Sequence, residues 1–147
     1  MRILVDADAC PVKSIIVKEA KELSISVIMI IDTSHVIDDG YSEVITVDKA
    51  RDSVDIALVN RVLKGDIVVT QDYGVAAMVL AKGGAAINQN GLIYNKDNMD
   101  RLLFERHLSQ KVRRAGGKTS TIRKRTREDD EKFEKAFRML CSKSMGV

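Results

Sequence analysis

Five short apolar runs, most of them separated by stretches with helical spacing, limit what this chain can fold into more than any other feature. The runs are Ile3-Leu4-Val5, residues 25–31, residues 44–47, Asp66-Ile67-Val68-Val69-Thr70 and residues 85–87. They are rich in β-branched residues and too continuous to be half-solvated, so they read as strands buried on both faces. A helix is expected between the first and second runs, with Pro11 at its first position and Val12, Ile15, Ile16, Glu19 and Leu23 along it. A second is opened by Asp52-Ser53-Val54-Asp55, runs through Ile56, Val59 and Leu63, and stops at Gly65. A third covers residues 73–81 and is closed by Gly83-Gly84, a fourth covers 99–112, and a last one covers 128–140. Strands alternating with helices imply an α/β fold of three layers, a mostly parallel central sheet with helices on both faces.

The composition agrees with a single domain. The chain has 147 residues, of which 45% are hydrophobic and 31% charged, enough to bury a core. The expected organisation is an α/β domain over residues 1–114, a basic flexible loop over 115–127, and a C-terminal helix over 128–147 that packs on the same domain. No apolar run approaches the roughly 20 residues that a membrane span needs. An acidic residue at position 6 argues against a signal peptide. Cys10 and Cys141 stand far apart without metal-ligand spacing, and Cys10 has acidic neighbours, so both are expected to be packed thiols. A cytoplasmic setting follows as the expectation.

The carboxylates carry the chemistry. Asp6 closes the first run and Asp8 follows it. Asp72 follows the fourth run, and Asp52 and Asp55 share a face at the start of the second helix. In a parallel sheet, strand ends and the helix starts that follow them lie at one edge, where ligands bind. Asp8, Asp52 and Asp72 each have a plainer role as a helix cap, and Asp55 as a first-turn acid favoured by the helix dipole. Asp6 has no capping duty. Together the five form an oxygen-only donor set suited to Mg2+ or Mn2+, which would activate water for displacement at phosphorus. His35 and His107 stand alone in the sequence and are expected to be surface or packing residues.

Charge is unevenly spread. Residues 111–127 contain eight basic side chains and no acid; with those eight removed from a net charge of +3, the rest of the chain stands at −5. A basic arm on an acidic body points to a polyanionic partner such as a nucleic acid. Arg113, Arg114, Lys118, Arg123, Lys124 and Arg125 are the candidate phosphate contacts. Lys13 in the first helix and Tyr73 beside Asp72 are candidates nearer the carboxylates.

The segments Val5-Asp6-Ala7-Asp8-Ala9-Cys10-Pro11-Val12-Lys13, Asp52-Ser53-Val54-Asp55, Val69-Thr70-Gln71-Asp72-Tyr73 and Arg113-Arg114-Ala115-Gly116-Gly117-Lys118-Thr119 resemble the YaiI/YqxD family of bacterial proteins, which is PIN-like. The resemblance covers nearly the whole chain and implies a PIN-like (Rossmannoid) domain. By that likeness Asp6, Asp55 and Asp72 match the metal-holding acids of PIN-like nucleases. The chain departs from the family pattern at Ser120-Thr121, where a Gly-Pro pair is expected. The activity implied is Mg2+- or Mn2+-dependent cleavage of RNA or single-stranded nucleic acid. Two alternatives stand beside it. Asp6-Ala7-Asp8 also matches the Asp-x-Asp signature of haloacid-dehalogenase-like phosphatases, with Asp6 as nucleophile and Asp8 as acid/base. The other is an RNA-binding or regulatory protein without catalysis.

Overall fold

The computed structural model describes residues 1–48, 53–117 and 123–146. Its elements in chain order are β1 (Ile3–Asp6), α1 (Lys13–Leu23), β2 (Val27–Asp32), β3 (Glu43–Val47), α2 (Val54–Arg61), β4 (Ile67–Val69), α3 (Tyr73–Ala81), β5 (Ala85–Ile87), α4 (Lys96–Arg114) and α5 (Arg127–Ser144). The five strands form one sheet in the order β3-β2-β1-β4-β5, every pair parallel. Such a three-layer α/β arrangement is consistent with a Rossmannoid, PIN-like domain.

The sheet is covered on both faces because its strands send alternate side chains to opposite sides. Ile3, Val5, Val27, Met29, Ile31, Ile67, Val69 and Ile87 pack into one core with α1 and α5. Leu4, Ile28, Ile30, Val68 and Ala86 pack into the other with α2, α3 and the start of α4. The register is fixed by this pattern, since a one-residue slip would exchange the two cores. At the amino edge Asp66 accepts from the Arg2 guanidinium and backbone N–H at 2.8 and 3.1 Å and from Leu63 N–H at 2.9 Å, joining the starts of β1 and β4.

Several element ends differ from the sequence expectation. Helix α1 begins at Lys13, two residues beyond Pro11, and its N-cap residue Val12 offers no side-chain cap, so Asp8 does not cap it. It ends on Ser24 in the left-handed region (φ 56°), a termination made without glycine. Ile25 therefore closes the helix through a bond to Ala20 O, and β2 starts only at Val27. Helix α2 is capped by Ser53, whose Oγ accepts from Ile56 N–H at 3.1 Å, and stops at Arg61 before Leu63. Helix α4 is longer than its apolar pattern, because Asn95 and Asn98 form a reciprocal capping box that starts the helix at Lys96, three residues upstream of Met99.

The last helix completes the first core. Phe133 and Phe137 are fully buried and stacked at 5.2 Å. Arg138 makes a two-pronged pair with the buried Glu19 of α1, at 2.8 and 2.6 Å. Gly91, at φ 88°, lets the β5–α4 loop pass beneath α5; a Cβ there would come within 2.8 Å of Lys132 O. Among the described residues no helix is long and apolar enough to cross a membrane.

Phe137→Ala is expected to cost about 3–5 kcal/mol in urea unfolding, the usual range for emptying a buried aromatic site. The Arg138 pair gives a separate acid signature. Hydrogen bonding to Arg138 holds the Glu19 carboxyl below its ordinary 4.5. Its contribution is therefore full above about pH 4.5 and lost as the pH falls further. Replacing Glu19 by Gln should flatten that limb of the stability profile.

Candidate functional site

The chain leaves β1 towards β2 and β3 on one side of the sheet and returns to β4 and β5 on the other. The adjacent carboxyl ends of β1 and β4 therefore frame the crevice where such sheets bind ligands. Asp6 is the last residue of β1, and Thr70, Gln71 and Asp72 follow β4.

Thr70 organises this crevice. It is buried, its hydroxyl donates to Asp6 Oδ2 at 3.1 Å, and the same oxygen accepts from Asp72 N–H at 3.1 Å. Tyr94 fixes it from behind by donating to Thr70 O at 3.2 Å. One threonine thus orients both acids. Asp72 also caps α3, accepting from Val75 N–H at 3.1 Å, so its capping role and its place in the crevice coexist. Gly74 leaves room beside it; a Cβ at that position would sit 3.1 Å from Asp72 Oδ1. Asp72 borders two openings. One is lined with Asp6, Ala9 and Gln71, the other with Asp55, Ile56, Val59, Asn60, Gly74, Val75 and Met78.

Electrostatics follow from this crowding. Burial pushes the Asp6 carboxyl up to about 6, the Thr70 hydrogen bond opposes the rise, and the charges of Asp55, Asp8 and Asp72 add to it. Asp55, in the first turn of α2, is raised by burial and then by the negative charge of Asp72. Asp6, Asp55 and Asp72, from three separate elements, are therefore within electrostatic reach of one another.

Asp8 turns towards β2. Its Oδ1 accepts from Asp32 N–H at 3.1 Å and lies 3.0 Å from His35 Nδ1. Asp32 closes β2, lies 3.3 Å from His35 Nδ1, and is held down at about 2 by hydrogen bonds from Ser34. The donor atoms of Asp8, Asp32 and His35 all lie within 4.8 Å of one another, a spacing that the oxygens of Asp6, Asp55 and Asp72 do not reach. His35 is thus paired rather than isolated. Thr70 and Asp32 were visible in the sequence as strand-end residues, but only the sheet order makes them neighbours of Asp6 and Asp8. His107 is exposed on α4.

The remaining candidates take varied positions. Lys13 folds back on the β1–α1 loop, donating to Ala7 O at 3.3 Å, and also lines the near end of a larger groove beside α1 that lies away from the carboxylate crevice. Tyr73 opens α3 and packs edge-on against Tyr94 at 6.2 Å. Arg113 and Arg114 are exposed in the last turn of α4, and Lys124 is exposed before α5. Arg123 pairs with Asp129 at 2.8 Å. Arg125 is spent on three protein acceptors, Asp130, Asn90 Oδ1 and Gln89 O, and pins the start of α5 to the β5–α4 loop. Arg123 and Arg125 line a polar cleft that shares Ala9 and Gln71 with the Asp6 opening. Asp52 and Lys118 lie outside the described residues. Cys10 is buried and burial pushes its thiol up, which suits a packed residue.

Fold and crevice together define a Rossmannoid α/β protein with a carboxylate-lined switch point. The chain belongs to the family described as "Uncharacterized BCR, YaiI/YqxD family", whose model matches residues 4–143. It is 74% identical over 137 residues to a UPF0178 protein of Ruminiclostridium cellulolyticum, covering 93% of this chain and 90% of the relative. UPF0178 proteins of Clostridium kluyveri and Clostridium tetani are 56% and 54% identical, covering 97% and 98% of this chain and 94% and 99% of the relatives. No solved structure matches the chain.

The raised Asp6 has a measurable consequence. A carboxyl whose folded pKa lies above its unfolded value costs stability once it is forced to ionise, so the cost grows from about pH 4 and is complete above pH 6. In EDTA, Asp6→Asn should gain about 1–2 kcal/mol at pH 7, after allowing for solvent screening, and lose the gain near pH 4. Equal stability at every pH would contradict the crowding described above.

Proposed function

We propose that this protein is a divalent-metal-dependent phosphodiesterase acting on RNA or single-stranded nucleic acid. The reading rests on one observation: Asp6, Asp55 and Asp72, from β1, α2 and the α3 cap, gather at the switch-point crevice. The donor set is oxygen-only at these three positions, which fits Mg2+ or Mn2+ with retained waters. Asp6, Asp55 and Asp72 would hold the ion, which when bound supplies a more acidic water and stabilises charge at phosphorus. The rest falls to side chains of the chain. Thr70 fixes the direction of the Asp6 carboxylate. Asp8 and Asp52 are proposed as outer groups that orient water. Lys13 and Tyr73 are proposed for contact with the substrate backbone and a base. Arg113, Arg114, Lys118, Arg123 and Lys124 would draw in the polyanion without reading its sequence. Arg125 is better suited to holding that arm in place, given its three protein partners.

The phosphoaspartate alternative is less well supported. Asp8 is engaged by Asp32 N–H and His35, which leaves Asp6 without the acid/base partner that reading needs. A purely RNA-binding role is favoured by one observation, the spread of the three crevice carboxylates beyond the spacing of the Asp8 cluster.

Calorimetric titration of Mn2+ and Mg2+ into the wild type and the Asp6→Asn/Asp72→Asn variant separates these readings. Asn is as good an N-cap as Asp, so α3 should survive the change. Binding by the wild type alone, together with metal-dependent cleavage of labelled single-stranded RNA, is the expected result. Binding by neither protein, with RNA still retained, would replace the nuclease reading with the binding one.

A further inference from the structure

Helix α4 carries two apolar faces, and only one of them has a place to go. Met99 and Leu102 seat its first turns on the second core. From residue 103 to the helix end every residue except Ser109 is exposed. Phe104, Leu108 and Val112 recur at intervals of four along this stretch, on the side turned away from Met99 and Leu102. They are 62%, 45% and 43% exposed. Three turns of helix standing in water gain little from propensity alone, and a contiguous apolar stripe rimmed by charge marks an interaction surface.

The charges on this stripe choose the occupant. Asp97 and Asp100 border it at the amino end, and Lys111 borders it at the carboxyl end. Arg101 is turned aside to Glu105 of its own helix, at 3.9 Å. We propose that the α4 stripe is the two-fold interface of a homodimer, in which α4 of one copy lies antiparallel on α4 of the next. A two-fold axis between Phe104 and Leu108 sets each Phe104 against the other copy's Leu108. It also sets Asp100 of one copy opposite Lys111 of the other. Antiparallel pairing opposes the helix dipoles favourably, and the isologous contact closes at two copies. The basic ends of the two α4 helices then project from opposite ends of the helix pair.

Sedimentation over a wide range of protein concentration tests this. The wild type is expected to dimerise reversibly, and Phe104→Asp or Leu108→Asp to remain monomeric with an unchanged circular dichroism spectrum, since both residues are exposed. Charge reversal distinguishes a second copy from any other occupant. Asp100→Lys and Lys111→Glu should each weaken the dimer about tenfold or more, because every pair then sets like charges together. Mixed in equal amounts, the two variants should recover wild-type association, because in the mixed dimer both pairs are again opposite in sign. A wild type that stays monomeric throughout, or variants that fail to recover on mixing, would overturn the proposal. Unchanged dimerisation in Phe104→Asp would move the interface elsewhere and overturn it equally.

Discussion

The structure is organised around β1, a strand paired on both edges and covered on both faces, which ends in an ionisable side chain. Ile3, Leu4 and Val5 are fully buried, and Asp6 is the first position of that strand with access to solvent. Burying most of a carboxyl there is unfavourable unless something compensates. Within the described residues the compensation is a single hydroxyl, that of Thr70 on the neighbouring strand. This makes the β1–β4 pairing more than a rung of the sheet. The pairing brings the hydroxyl to the acid, and through the same oxygen it sets the direction of Asp72. The crevice is therefore a product of strand order as much as of residue identity.

The fold could be read from the sequence because its signals are local and agree with one another. Runs such as residues 67–69 and 85–87 are buried on both faces, and turn residues punctuate them. Helix boundaries were less legible where the stop or start was made by something other than its usual residue. Ser24 adopts a left-handed conformation that glycine would have announced. Asn95 and Asn98 form a capping box without the usual Ser, Thr or Glu. Val12 begins α1 with no cap at all.

The candidate site divides along the same line. Asp6 and Asp72 could be found from strand ends alone, and Asp55 from a helix start. That Asp8 would turn away to Asp32 and His35 could not, since those residues lie some two dozen positions later and meet it only through the β1–β2 pairing. Nor could the sequence reveal that Arg125 is committed within the fold, because a basic run looks alike whether its members face solvent or protein. Basic composition identified the arm, and the distribution of acceptors separates Arg125 from Lys124 within it.

The position of α5 bears on how the chain is made. The face of β1 and β4 that bears Val5 and Val69 shares its core with Phe133 and Phe137. Strands formed from the first half of the chain therefore have only α1 to cover that face until residues 127–144 have left the ribosome. A nascent chain halted before that point exposes an apolar sheet surface, a natural target for chaperones. Domain completion is thus tied to the end of this segment's synthesis, and the Glu19–Arg138 pair is among the last native contacts able to form.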